Sequence, residues 1–276
     1  MHSLAEVNAA LPVGIEVRAE IHQGGQRVVY EACVNAEKRV LKLIPASGRA
    51  RAEREVLIAK GFDHPHLSRV LDEELSEVTI AGNDYVYFTE TFIPGEPLAA
   101  RSERMTPCEA LRLAIQLSSA VLYLWERHRV VHRDIKPLNI MERPDGTFVL
   151  LDIGVGRHQD RSTLTIVAGD HQPGTIGYLA PEQLAPLKGR EIDYRGDFFA
   201  IGVVIYEQVT GELPFDPEGA SYRTLLTTGV RRELSDQPQP FCAVVDRLLA
   251  PRPHGRFRLD RIEPALVSAM EELGCS

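Results

Sequence analysis

The rhythm of hydrophobic and polar positions changes near residue 95. Before it, apolar and β-branched residues gather in short runs at 15–23, 27–35 and 39–44, broken by Gly24-Gly25 and by 35–38. Short β-rich runs with such breaks predict an antiparallel meander. Residues 50–60 set Val56, Leu57 and Ala59 among charged side chains and stop at Gly61, which predicts one helix. Runs at 67–75 and 85–92 predict two more strands, the second preceded by the turn Gly82-Asn83-Asp84. Ile93-Pro94-Gly95-Glu96-Pro97 then breaks the pattern, and beyond it the period is helical. Residues 107–128 place Leu111, Ala114, Ile115, Leu117, Val121, Leu122 and Leu124 near a 3.6-residue spacing. Residues 194–210 are apolar on all sides and predict a central buried helix. Two further amphipathic helices are expected at 240–250 and 260–272. The expected architecture is α+β: a small β-rich unit over 1–92, a linker over 93–97 and a larger helical unit over 98–276. The leading segment 1–14 is expected to form a short helix, seated on the small unit or on a partner.

Composition narrows the function classes. The chain is 44% hydrophobic and 25% charged, an ordinary globular balance. A net charge of -8 argues against nucleic acid and against an anionic membrane as partners. The longest apolar run, 198–206, is far short of the roughly 20 residues of a membrane span. Residues 1–14 lack the basic-then-apolar order of a secretory leader. Cys33, Cys108, Cys242 and Cys275 lie far apart without metal-ligand spacing, and are read as reduced thiols of a cytoplasmic chain. Lysine is scarce, with Lys38, Lys42, Lys60, Lys136 and Lys188 the whole set. Where arginine is the default cation, a lysine fits places that need a compact ammonium.

The chemistry concentrates in His132-Arg133-Asp134-Ile135-Lys136-Pro137-Leu138-Asn139, followed by Asp152-Ile153-Gly154 and Ala180-Pro181-Glu182. The Asp134 carboxylate can take a proton from a hydroxyl. Lys136 can neutralise a phosphate. Asn139 can ligate a divalent cation whose other ligand is Asp152. Phosphoryl transfer is mostly positioning plus charge neutralisation, and these are the groups it needs.

This set resembles the catalytic machinery of protein kinases, and the resemblance runs roughly from 15 to 266. Gly174 through Glu182 is similar to the family's substrate-docking segment. Asp197 through Gly202, with the exit through Phe215, is similar to its central helix. The resemblance implies a two-lobe kinase fold, with a β-rich N-lobe bearing one helix and a helical C-lobe. It implies an ATP- and Mg²⁺-dependent serine/threonine protein kinase of the bacterial type. Its partner would be a protein substrate, with self-association for autophosphorylation in trans.

By the same resemblance Asp134 is the catalytic base and Lys136 contacts the transferred group. Asn139 and Asp152 hold Mg²⁺. Lys42 holds the α- and β-phosphates, steered by Glu55, with Glu53 the competing choice. Ile21, Val29 and Val40 roof the adenine and Met141 floors it. Thr89 gates the space behind the adenine, and Glu90 through Phe92 form the hinge. Ser162, Thr163 and Thr165 are candidate phosphosites whose phosphate would pair with Arg133. Thr175 bonds near Asp134 and Lys136, and Arg256 pairs with Glu182.

The chain departs from the family at the phosphate loop. His22, Gly24 and Arg27 stand where it has three glycines, so only Gly24, joined by Gly25, remains. Arg27 is expected to add a cation near the phosphates. Ile153 replaces a phenylalanine, and Ala59 replaces a larger residue one turn after Glu55. Together they lead to the expectation of a Lys42–Glu55 pair that breaks easily at rest. The degraded loop keeps a second reading open, a pseudokinase or nucleotide-binding scaffold. The presence of Lys42, Glu55, Asp134, Asn139 and Asp152 opposes it. A third reading, a small-molecule phosphotransferase, is opposed by the Ala-Pro-Glu segment.

Overall fold

A computed structural model describes residues 2–24, 26–152, 175–184, 192–217, 219 and 222–275. The chain divides between residues 94 and 95 into two compact units. That division falls inside the linker expected at 93–97.

The first unit runs α1 (Leu4–Ala10), β1 (Ile15–Gln23), β2 (Val28–Val34), β3 (Glu37–Pro45), α2 (Arg49–Ala59), β4 (Ser76–Ile80) and β5 (Asn83–Thr91). The strands form one antiparallel sheet in the order β1-β2-β3-β5-β4. Two of its hairpins, β2–β3 and β4–β5, close on two-residue turns, Asn35-Ala36 (φ 49 and 68) and Ala81-Gly82 (φ 48 and 79). Both central residues are left-handed, which matches the twist of the flanking strands. Ala36 bears this conformation with a Cβ, at a cost of about 1–2 kcal/mol. Ala36→Gly is therefore expected to raise the denaturant midpoint, by about 1 kcal/mol of stability; an unchanged or lower midpoint would contradict the turn assignment.

Alternation gives this sheet two faces. On one, Tyr30, Ala32, Leu41, Leu43 and Tyr87 join Val17, Val78 and Ile80 in a core closed by Val7 and Leu11. Val7 comes from α1, so the leading segment is seated on the first unit. Ser3 and Glu6 cap that helix reciprocally, which satisfies two of its unpaired amides. The other face carries Val29, Val40, Lys42, Phe88 and Glu90 by register.

The strand expected at 67–75 is not formed. Val70 makes an isolated bridge to Glu90, while the Asp72 carboxylate accepts the main-chain N–H of Thr89. The acidic run 72–74 ends the pairing, and the edge strand starts only at Ser76.

The second unit contains β6 (Glu96–Pro97), α3 (Pro107–His128), β7 (Ile140–Glu142), β8 (Phe148–Leu150), α4 (Pro181–Leu184), α5 (Arg195–Thr210), α6 (Tyr222–Thr228), α7 (Gln239–Leu248) and α8 (Leu259–Glu272). The three short strands pair antiparallel in the order β6-β7-β8. Gly95 enters them at φ 127, where a Cβ would sit 2.0 Å from the Glu142 carbonyl oxygen, so no side chain fits. Thr106 and Glu109 form a capping box at the start of α3, with Pro107 in its first turn. Helix α5 buries Phe198, Phe199, Ile201, Val203, Val204 and Ile205 completely and ends at left-handed Gly211. Among the described residues no helix is long and apolar enough to cross a membrane.

One expectation is overturned here. Cys108 and Cys275 are joined as a disulfide, with Cα atoms 5.6 Å apart across 167 residues of sequence, while Cys33 and Cys242 are free. Helix α8 packs against α3 and brings the two ends together, which linear spacing does not reveal. Closing so long a loop stabilises by about 3–5 kcal/mol in the chain-entropy account. Reduction, or Cys108→Ser, is expected to lower the melting temperature by about 6–12 °C. Equal melting with and without reductant would show the bond contributes nothing.

Candidate active site

The segment after α3 turns back on itself through a 3₁₀ turn, Pro137–Asn139, closed by the Asn139 N–H on the Lys136 carbonyl at 2.9 Å. That turn brings three of the expected residues together. The Asn139 side-chain amide donates to the main-chain oxygen of Asp134 at 2.8 Å and to its Oδ2 at 2.9 Å. Lys136 Nζ lies 3.3 Å from the same Oδ2. All three side chains are largely buried. With its nitrogen on Asp134, Asn139 presents its carbonyl oxygen elsewhere, a hard donor of the kind Mg²⁺ takes. Asp152 follows by register: Ile140 pairs with Leu150, and Leu151 N–H reaches the Asn139 carbonyl at 2.8 Å. The next residue is Asp152, held at φ 52, and Arg133 sits at φ 67. Left-handed backbone at two non-glycine positions costs of order 1–3 kcal/mol each and is characteristic of functional sites.

The loop is anchored from α5 by Asp197, a residue the sequence reading placed only within a helix. Its Oδ2 accepts the His132 N–H and its Oδ1 the Arg133 N–H, both at 2.8 Å. Burial pushes the Asp197 carboxyl up to about 7, against the pull of those two donors and of the Arg133 charge. The signal was an acid in the first turn of an otherwise apolar helix, where only a structural task justifies burying it. His132 is fully buried and its Nε2 lies 3.0 Å from the Leu151 carbonyl. A carbonyl only accepts, so Nε2 carries the hydrogen.

In the first unit Lys42 lies on β3, 2% exposed, with Glu55 Oε1 at 3.1 Å. Glu55, not Glu53, is the partner; Glu53 faces Arg49 on the outer side of α2. The expectation that this pair breaks easily is not met, for the pair is formed and buried, and Ala59 is buried as well. The physical reason is extra support. Arg27 Nη1 lies 3.5 Å from the same Glu55 oxygen, and Glu90 also bonds to Lys42. Arg27 thus reaches the carboxylate beside Lys42.

Thr89 is a second correction. It is registered with Leu41, on the core face of the sheet, where its hydroxyl accepts from Arg39 at 3.3 Å. Glu90, one residue on, shares the Lys42 face. A shift of one residue along a strand exchanges the two faces. Glu90 is also registered with Val40 inside the β5 ladder, so its main chain belongs to the sheet rather than to a hinge. Val29 and Val40 are half-buried on the Lys42 face, whereas Ile21, at a bulge in β1, is 52% exposed. Phe92 is covered by Lys38, 3.8 Å above its ring. Gly24 closes the turn between β1 and β2 by an N–H bond to the Arg27 carbonyl at 3.0 Å. In the second unit Met141 is half-buried on β7. Gly25, Ile153, Ser162, Thr163, Thr165 and the side chain of Thr175 lie outside the described residues.

The segment ending in Ala180-Pro181-Glu182 is tied down at its end. Arg256 clasps Glu182 through two parallel bonds of 2.6 and 2.9 Å. Its other hydrogens go to the carbonyls of Ala250, Arg195 and Pro251. Upstream, the Tyr178 hydroxyl donates to Glu207 and the Tyr222 hydroxyl to the Ile176 carbonyl, both at 2.7 Å. Burial pushes both phenols up, so they stay protonated donors.

A family model described as protein kinase domain matches residues 15–263. The serine/threonine-protein kinase PrkC of Bacillus subtilis is 31% identical over 173 residues, 62% of this chain and 25% of its own length. The serine/threonine-protein kinase pkn3 of Myxococcus xanthus is 30% identical over 200 residues, 69% of this chain and 34% of its own. Serine/threonine-protein kinase 36 of Pongo abelii is 31% identical over 189 residues, 66% of this chain and 13% of its own. The chain thus spans about a third or less of these relatives. With the family model covering nearly its whole length, the chain belongs to the protein kinase family.

Proposed function

We propose that the chain is an ATP- and Mg²⁺-dependent serine/threonine protein kinase that moves the γ-phosphoryl group of ATP to a hydroxyl of a protein substrate. One observation carries the reading: Asn139 and Lys136 converge on a single carboxylate oxygen of Asp134. A carboxylate held so is a fixed acceptor for the substrate hydroxyl's proton. The new bond joins that hydroxyl oxygen to phosphorus, the bond to the β-phosphate oxygen breaks, and ADP leaves with the electron pair. Lys136 offsets the charge on the group in transit. The Asn139 side-chain oxygen and the Asp152 carboxylate are the hard donors that would hold Mg²⁺, which would supply charge neutralisation at the phosphates. Lys42, oriented by Glu55, holds the α- and β-phosphates. Ile21, Val29 and Val40 supply apolar contact for the adenine from the first unit, with Phe92, the first residue past the β5 ladder, as hinge. Arg256 and Glu182 keep the docking segment in place for a polypeptide.

Autophosphorylation in trans at Ser162, Thr163 or Thr165 belongs to this proposal. Arg133 supports it: its Nε is buried with no hydrogen-bond partner among the described residues, and burial pulls the guanidinium down. A phosphate would satisfy it. The expected cytoplasmic location rested on reduced thiols, and the Cys108–Cys275 bond removes that footing.

The test is transfer of labelled γ-phosphate to a generic protein substrate with Mg²⁺ and with a chelator. Phosphoserine or phosphothreonine formed only with Mg²⁺ supports the reading. Nucleotide binding without transfer would replace it by the nucleotide-binding scaffold.

A further inference from the structure

Lys42 meets more carboxylate than a phosphate-binding lysine needs. Its ammonium bonds both Glu55 and Glu90, and each of the three residues is at most 6% exposed. Glu55 also meets Arg27. The four groups therefore amount to two neutral pairs, Arg27–Glu55 and Lys42–Glu90. In that arrangement the ammonium assigned to the nucleotide phosphates is already neutralised.

We infer that Glu90 is an internal rival of the nucleotide, a carboxylate that occupies Lys42 and must yield part of it to the phosphates. The inference rests on the proposed role of Lys42 as a phosphate ligand. Glu90 sits in the middle of the sheet, between Val40 on β3 and the bridge to Val70, so its backbone cannot move away. When phosphate oxygens draw the ammonium, Glu90 stays buried with a weaker partner, and a buried carboxylate in that condition is costly. Two like charges then face one cation. The penalty falls on ligands in proportion to their phosphate charge and spares the nucleoside. Glu90 thus acts through Lys42 as a positioning residue that weakens nucleotide binding.

The experiment is calorimetric titration of wild type, Glu90→Gln and Glu90→Thr with ATP, ADP and adenosine. Both substitutions are used, and melting curves identify the folded ones, because glutamine keeps the shape and threonine removes the bulk. ATP is expected to bind about tenfold tighter to the variants, ADP to gain less, and adenosine to stay within about twofold of wild type. In a Lys42→Met background the gain should vanish. Unchanged or weaker ATP binding in a folded variant overturns the inference. So does an equal gain for adenosine, which would assign Glu90 to pocket shape rather than to Lys42. If wild type and variants all fail to bind any of the three, the proposed function itself falls, and the inference with it.

Discussion

Asp134→Asn is expected to lower phosphoryl transfer by roughly 10³-fold or more, with ATP affinity within about threefold of wild type. The asparagine oxygen still accepts from the Asn139 amide, as Asp134 Oδ2 does at 2.9 Å, so the turn around Pro137 survives. What is lost is the proton acceptor, and with it the negative charge that holds Lys136 at 3.3 Å. A positioned general base is worth about 10²–10⁴-fold, and the displaced ammonium adds to the loss. Nucleotide affinity is spared because Lys42 is oriented by Glu55 and Glu90, not by this loop. Initial rates and a nucleotide titration on the same preparation separate the two effects. A variant retaining a tenth or more of the rate would remove Asp134 from the chemistry.

Arg256→Met should give the largest loss of stability, about 3–5 kcal/mol. Arg256 is 1% exposed, clasps Glu182 through both terminal nitrogens and lies 4.8 Å over the Phe199 ring. Methionine fills much of the volume. It leaves the Glu182 carboxylate, 16% exposed, without its cation, and takes one donor from each of three main-chain carbonyls. The orphaned carboxylate carries its full desolvation cost. Adding Glu182→Gln should recover part of the loss, the sign of a coupled pair. Urea unfolding reads both, and a loss below about 1 kcal/mol would show that the pair is idle.

Local features were legible in the sequence because local geometry is written in local spacing. The helix at 107–128 was readable from its 3.6-residue period and matches α3 in both ends. Asp134, Lys136 and Asn139 were readable because one short turn suffices to join them. Features that depend on distant segments were not legible. The Cys108–Cys275 bond depends on how α8 seats against α3. Asp197 acts on amides some 65 residues upstream. Strands β6, β7 and β8 are two or three residues long, too short for any period. The exchange of Thr89 for Glu90 is a different failure: strand existence was readable, but its phase depends on the register with β3. The expected weakness of the Lys42–Glu55 pair failed for the same reason, because the support from Glu90 depends on that phase.

The most direct test of the central claim is the intact mass of the purified wild type and Asp134→Asn, before and after incubation with ATP and Mg²⁺. The account predicts added phosphate on the wild type, mapping to Ser162, Thr163 or Thr165, and none on the variant. Equal phosphate on both proteins, or none on the wild type even with a generic serine/threonine substrate present, would contradict it.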